Sequence, residues 1–234
     1  MLGMPNDLSL WFCHLNEARH LIDNAGLESQ NLQGEFSRLL DWVEYHMVMS
    51  RFSHRHWYIN VESSKETKNL PPIKGLPSCS HEIIRLFYFM FEIIRKPIDL
   101  LYHSDEYENS LVCLENKITK IVPLAAEGES DTMSGLSTVW VATIELFKLA
   151  ALIYLKRASQ NFSGSSPQIV AIVERAHIHL DDLETFDSAF PLLIIGCESR
   201  IDEQRFRILE HIERTIKSSR LRSLHGLQDV LQQI

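Results

Sequence analysis

The sequence predicts an all-α fold, a multi-helix bundle or irregular helical array of about eight to nine helices without a sheet. Apolar residues recur at spacings of three and four along most of the chain, which places them on one face of a helix. Proline, glycine and polar clusters separate these periodic segments. No stretch shows the strict apolar–polar alternation of a half-buried strand, and no internal repeat is present.

Composition describes a soluble globular protein with a sizeable core. The chain has 234 residues, of which 45% are hydrophobic and 23% charged. The formal net charge is -8, and the 23 lysines and arginines are scattered along the sequence. Because a protein that binds DNA directly needs a concentrated basic surface, this balance argues against direct DNA binding by the chain.

The first third of the chain predicts two helices followed by a long loop. Five residues form the apolar stripe of the first helix, between a capping Asp7 and a terminating Gly26: Leu8, Trp11, Leu15, Ala18 and Ile22. A second helix is expected from about residue 35 to residue 50. Residues 51–79 contain three prolines close together, and we expect a long loop there.

The middle of the chain predicts three further helices. Ser80 is expected to cap a helix that Pro97 ends or kinks, and another helix should span about 105–121. A polar connector is expected at 127–135. The most apolar segment, about 137–159, contains Glu145 and Lys148, so we interpret it as a helix near the centre of the bundle and not as a membrane span.

The last third predicts a helix opening at Pro167 and running to about residue 184, then a short helix capped by Ser188. The next helix should begin at Asp202 and Glu203, and a last short helix should follow it at the C-terminus. The helix that begins at Asp202 has an expected buried stripe of four residues: Phe206, Leu209, Ile212 and Ile216.

Cysteine spacing excludes the common metal and redox motifs. The four cysteines are far apart: Cys13, Cys79, Cys113 and Cys197. No Cys-x2-Cys pair exists, and we expect reduced thiols. Cys197, in the sequence Gly-Cys-Glu, could be a nucleophile, a metal ligand or a packed side chain. No histidine lies within ten residues of it, so we expect a buried cysteine where two helices meet.

Histidine and carboxylate patterns do not predict a catalytic or metal site. The closest histidine pairs have spacings that a shared ligand set rarely uses: His14 and His20, His54 and His56, His177 and His179. We interpret the histidines as solvated or capping. The carboxylates of residues 179–184 are expected at an exposed helix end. Residues 50–59 could contact a phosphate or a base stack, but aromatic anchoring of a loop is favoured.

Five segments, in order, resemble the C-terminal regulatory domain of fungal zinc binuclear cluster transcription factors, in particular the acriflavine-sensitivity regulator-like subgroup. They are WFCHLNEARHLID (11–23), LLDWVEYHMVMSRFSHRHW (39–57), CSHEIIRLF (79–87), TIELFKLAALIYLKRAS (143–159) and FPLLIIGCESRIDEQRFRILEHIE (190–213). The resemblance implies one helical regulatory domain over 1–234, N-terminally truncated relative to the family, and a nuclear location.

Family members pair this domain with an N-terminal head whose six thiolates hold two zinc ions. That Cys-x2-Cys-x6-Cys pattern does not occur in these 234 residues, so neither zinc nor DNA contacts can be assigned to any residue here. The resemblance implies no catalytic, cofactor-binding or metal-binding residues. It implies protein partners or self-association, and a small apolar effector. From their residues alone, the apolar helices at 83–94 and 139–155 could line an apolar ligand pocket, but such helices are more often simply core.

The sequence therefore predicts a regulatory domain of a fungal transcription factor that acts through partner or small-ligand contact and is not an enzyme. Three alternatives remain open: a helical enzyme recruited from this fold, a stand-alone ligand-binding protein, and a truncated non-functional paralogue.

Overall fold

The computed structural model describes residues 7–26, 43–50, 52, 78–95, 99–122, 134–160, 166–219 and 223–233. These residues form helices and their connections, and they contain no strand, which confirms the all-α prediction. Contacts divide the chain into two compact units, Met1–Phe91 and Glu92–Ile234, and each is considered by itself. The prediction of one domain over 1–234 stays a prediction.

Unit 1 begins with helix α1, Asp7–Asn24. Leu15 and Ile22, one face of the predicted stripe, are buried. Gly26 has φ 61° and its backbone N–H donates to the Asp23 carbonyl, so a left-handed glycine ends the helix as predicted. The side chains of Leu8 and Trp11 lie outside the described residues.

Helix α2 comprises residues 43–50, and helix α3 is Ser78–Ile93. Arg19 on α1 forms an ion pair with Glu44 on α2 at 3.9 Å. The rings of Phe52 and Phe91 lie 5.6 Å apart and join the end of α2 to α3. Helix α3 begins two residues before its predicted cap, so residues 78 and 79 of the expected loop are helical; residues 53–77 lie outside the described part.

The described residues of unit 2 form six further helices. They are α4 Asp105–Lys120, α5 Ser134–Gln160, α6 Pro167–Asp181, α7 Ala189–Glu198, α8 Asp202–Ser219 and α9 Ser223–Gln232. Helix α5 contacts α4, α6 and α7, which explains why apolar residues surround it. Its segment Thr138–Ser159 is long and apolar enough to cross a membrane, but more than half of its most apolar stretch is buried. The residues expected in the 127–135 connector are described only from 134 onward, where α5 begins.

Local sequence signals set the ends of α4. The Ser104 hydroxyl accepts a hydrogen bond from the Tyr107 N–H, and acidic residues occupy the first turn. At the other end, the buried Lys148 ammonium on α5 donates to the Ile121 carbonyl at 2.8 Å and pairs with Glu145. The Lys148 ammonium thus bonds a carbonyl where α4 ends, and a positive charge is the favourable charge at a helix C-terminus.

The corner between α7 and α8 departs from the prediction for Cys197. This cysteine is exposed, and the residue that packs is Gly196. A Cβ placed on Gly196 would lie 2.7 Å from Leu231 Cδ2 on α9, so the glycine allows α7 and α9 to approach closely. Neighbouring side chains on a helix point about 100° apart, and this rotation turns Cys197 toward solvent.

The predicted buried stripe of α8 is confirmed at Ile212 and wrong at Phe206, while Leu209 and Ile216 are half-buried. Phe206 is 67% exposed, whereas four residues at helical spacing are buried: Ile208, His211, Ile212 and Thr215. Two of these are polar, and a search for apolar residues alone therefore selected the neighbouring face. The Thr215 hydroxyl donates to the His211 carbonyl and accepts from the Phe186 N–H, which satisfies its burial.

Candidate ligand pocket between helices α6 and α8

A polar pocket of about 220 Å³ lies between α6 and α8. His177, Leu180 and Asp181 line it from α6, at the spacing of one helical face. Four residues line it from α8, also at helical spacing: Arg207, Glu210, His211 and Arg214. Two neighbouring helices therefore present their polar faces to each other at this point.

The pocket has a buried floor and an exposed rim. His177 and His211 are 5% and 4% exposed, and Leu180 is also buried. The four charged residues of the lining are exposed. Nδ1 of His177 and Nε2 of His211 are buried without a hydrogen-bond partner from the protein. Because buried polar atoms are nearly always bonded, two unbonded ring nitrogens on side chains that line one pocket are an unusual feature of this fold.

The hydrogen bonds around His177 define its tautomer. Its Nε2 lies 3.1 Å from the Ser199 hydroxyl, which itself donates to the Ile195 carbonyl at 2.9 Å. A serine hydroxyl has one proton, so Ser199 must accept from His177 Nε2–H. In the neutral imidazole Nδ1 is then a bare acceptor, and a ligand there has to donate a hydrogen bond.

Burial keeps both floor histidines neutral. It lowers the pKa of His177 and of His211 below the ordinary value of 6.5, since charging a desolvated imidazole is costly. Asp181 opposes this effect at both sites, while Arg207 reinforces it at His177 and Arg214 at His211. Because the pKa of each imidazole lies below 6.5, the floor is mostly uncharged at neutral pH.

Ion pairs occupy the rim. Arg207 donates to Asp181 at 3.1 Å, which joins α8 to α6, and also to Glu203 at 3.0 Å. Arg214 lies 3.7 Å from Glu210. The two arginines and two carboxylates of the lining balance, so its formal charge is zero while the histidines are neutral.

The other candidate residues from the sequence do not converge on a site. His14 and His20 are exposed, and the exposed carboxylates Asp181, Asp182 and Glu184 lie at the end of α6 as expected. His54 and His56 lie outside the described residues. Within the described residues no group of three or more histidines, cysteines or acids could hold a metal. The prediction that histidines are solvated or capping is wrong for His177 and His211, which are buried.

Sequence reasoning missed this pocket because it compared histidines only with their nearest neighbours in sequence. A detectable signal was present: Arg207, Glu210, His211 and Arg214 repeat at spacings of three, one and three, as one polar stripe of a helix. The matching stripe on α6 is shorter. Their pairing depends on how α6 and α8 pack, which no local spacing encodes.

Cys197 does not have the surroundings of an activated thiol. Partial desolvation and the adjacent Glu198 carboxylate raise its pKa above the ordinary value, although its side chain is exposed. Since a reactive cysteine needs a lowered pKa, this environment is unfavourable for nucleophilic catalysis.

Comparison with known proteins gives the family. A model of the fungal-specific transcription factor domain matches residues 4–234, nearly the whole chain. The chain belongs to this family. The family predicted from the five sequence segments is thereby confirmed, and membership supports the interpretation as a regulatory domain of a transcription factor. The finer assignment to the acriflavine-sensitivity regulator-like subgroup stays a prediction.

A curated relative agrees with the family. The chain is 28% identical over 233 residues to the transcription factor iacI of Pestalotiopsis fici, a match that covers 96% of this chain and 58% of that protein. The chain thus spans a little over half the length of this relative. No solved structure shows a significant match.

Proposed function

We propose that this domain regulates transcription in the nucleus through contacts with protein partners, with copies of itself or with a small effector, and without catalysis of its own. The observation that supports the proposal most strongly is the family match over residues 4–234. The name of the iacI relative, a transcription factor, points the same way. The acidic balance of the chain favours a role in regulation over direct contact with DNA.

The environments of the reactive side chains support a non-catalytic role. Cys197 has a raised pKa and no histidine within ten residues in the sequence. The pocket contains two neutral imidazoles, and the hydroxyl bonded to one of them, Ser199, is buried outside the lining and donates to the Ile195 carbonyl. Such a lining can bind a polar molecule, whereas covalent catalysis needs a nucleophile beside its base.

A reporter assay tests the regulatory role. The full 234-residue chain is fused to an unrelated DNA-binding domain, and transcription of a reporter with the matching binding site is measured in a fungal host. We expect transcription to change severalfold relative to the DNA-binding domain alone. Fluorescence of a tagged chain without that fusion tests whether it enters the nucleus.

A matched variant shows whether the effect depends on the folded domain. Ile212 is fully buried on α8, and Ile212→Asp should unfold unit 2 and return the reporter to the level of the DNA-binding domain alone. An unchanged reporter at equal nuclear abundance of the folded fusion would contradict the proposed function.

A further inference from the structure

We infer that the pocket between α6 and α8 is a binding site for a small polar molecule without net charge that donates an O–H or N–H hydrogen bond to Nδ1 of His177. This inference deepens the proposed function, on which it rests only for the regulatory consequence of binding. Binding itself is a property of the purified chain.

The first argument is the pair of buried nitrogens. Both floor imidazoles are at least nine-tenths buried and line the same cavity, and each has one ring nitrogen that the protein leaves unbonded. An unbonded polar atom in a fold costs about as much as a lost hydrogen bond. Two of them, on neighbouring side chains that line one cavity, are better explained by a ligand than by two independent defects.

The second argument fixes the direction of the hydrogen bond. Ser199 commits its proton to the Ile195 carbonyl, so it orients His177 with Nε2–H toward α7 and leaves Nδ1 with a lone pair. The imidazole of His177 is thereby oriented by Ser199, the residue that caps the C-terminus of α7. A ligand that offers only acceptors gains nothing at Nδ1, and a hydroxyl or amide N–H satisfies it.

The third argument is the charge balance. Asp181 already binds Arg207, and Glu210 lies beside Arg214. An anion would have to separate an arginine from its carboxylate, or protonate an imidazole whose pKa burial has lowered. A cation would have no carboxylate free of an arginine within the lining. The lining therefore favours a molecule without net charge.

The fourth argument is size. A volume of about 220 Å³ exceeds the roughly 30 Å³ that one water molecule takes up in the liquid, but it is smaller than the 300–1,000 Å³ of pockets for drug-sized ligands. The occupant is a molecule of a few heavy atoms. The polar lining also differs from the apolar effector that the sequence predicted.

Three probes with one carbon skeleton test the charge preference. Lactamide is neutral, lactate is an anion and 1-amino-2-propanol is a cation at pH 7, and all three carry a hydroxyl on the middle carbon. Binding to the purified full chain is followed by the ¹⁵N chemical shifts of the histidine ring nitrogens. We expect lactamide to bind in the millimolar range and to shift Nδ1 of His177. Lactate and 1-amino-2-propanol carry the same hydroxyl, but their charge competes with the arginine–carboxylate pairs of the lining. Each should bind at least about fivefold more weakly, since the loss of one net hydrogen bond in such a pair is worth about that factor.

Two variants locate the site without disturbing its framework. The Gln amide can take the place of Nε2–H, so His177→Gln keeps the donor to Ser199 and removes the acceptor at Nδ1. His211→Asn likewise removes the group at Nε2. Each should weaken lactamide binding about fivefold or more. His179→Gln, on the same helix but outside the lining, is the matched control and should bind like the parent chain.

Three results would overturn the inference. One is the absence of any lactamide-dependent shift at His177 up to 100 mM, which would mean that the pocket holds water alone. Another is tighter binding of lactate or of 1-amino-2-propanol. The third is equal lactamide binding by His177→Gln and the parent chain, with both folded as shown by circular dichroism. None of these outcomes depends on the reporter assay, so the proposed function can fail or stand separately.

Discussion

Arg157 near the end of α5 holds Glu198 at the end of α7 through two parallel hydrogen bonds. Its Nε donates to Oε1 at 2.6 Å, and its terminal nitrogen donates to Oε2 at 2.5 Å. Both side chains are largely buried, at 21% and 13% exposure, and the interaction raises the pKa of Arg157. This fork fixes the end of α7 that carries Gly196 and Cys197.

Arg157→Lys should destabilise the protein by about 1–2 kcal/mol, because an ammonium cannot reproduce the planar two-bond contact. The measurement is the free energy of unfolding in urea. Arg175→Lys is the matched control, since Arg175 is 60% exposed and lies 3.9 Å from Glu145. We expect that variant to change stability by less than about 0.5 kcal/mol. Equal losses for the two variants would contradict a special role for the fork.

Lys148→Met should cost about 1–3 kcal/mol, because the Ile121 carbonyl loses its donor and Glu145 loses its closest cation. The same urea titration measures it. Lys217→Met is the control: that lysine is 72% exposed and pairs with Glu213 on its own helix, so its loss should cost about 0.5 kcal/mol or less. A near-neutral Lys148→Met would show that water replaces the ammonium at the end of α4.

Gly196→Ala should destabilise the protein by about 1 kcal/mol, because the new methyl group forces Leu231 to move. Gly226→Ala on α9 supplies the contrast, since nothing lies within 4 Å of its added Cβ. Replacing that glycine should stabilise the helix by about 0.5–1 kcal/mol.

Thermal unfolding of both glycine variants, alone and with Leu231→Ala, separates packing from helix propensity. In the Leu231→Ala background, Gly196→Ala should no longer be destabilising, because the shortened side chain leaves room for the methyl group. The close approach of α7 and α9 would be wrong if the cost of Gly196→Ala were the same in both backgrounds.

The stability of the protein should fall as the pH decreases below about 6.5, in part because His177 and His211 are buried. Burial lowers their folded pKa below the unfolded value of 6.5, so the unfolded chain binds more protons in this range. The contribution is fully present above the unfolded pKa and is lost as the pH falls through the folded pKa. Asp181 acts on both imidazoles, Arg207 on His177 and Arg214 on His211; these groups and the lining residue Glu210 are present in parent and variant alike.

Urea midpoints from pH 8 to pH 5 test this sign. The double variant His177→Gln, His211→Asn should show a shallower decrease than the parent. His179→Gln should follow the parent curve. Parallel curves for the parent and the double variant would mean that the two imidazoles titrate alike in the folded and unfolded chain.

The fold followed from the sequence where one local signal sufficed. Helices α4, α6 and α8 begin at Asp105, Pro167 and Asp202, as expected, and Gly26 ends α1 as predicted. These signals act within a single turn, so no knowledge of packing was needed. The family resemblance was also recovered, because it depends on ordered segments and not on contacts.

The pocket could not be predicted in the same way. Ser199 orients His177 from another helix, and His211 meets it across the α6–α8 interface. The apolar criterion selected Phe206 over His211 because it scores side chains by hydrophobicity, whereas the fold buries His211 and Thr215 with hydrogen-bonding neighbours. Cys197 was misplaced for a similar reason: the contact with Leu231 on α9 packs Gly196 and leaves the neighbouring cysteine exposed.

The arrangement of α5 has a consequence for synthesis in the cell. Of the helices that cover its apolar surface, α4 leaves the ribosome earlier, whereas α6 and α7 are translated later. During that interval the apolar surface of α5 that α6 and α7 later cover is exposed to solvent. Chaperones bind such surfaces, and chains with unprotected apolar surface aggregate. Slower elongation between α5 and α7 would therefore lower the yield of native protein, even though the finished molecule would be unchanged.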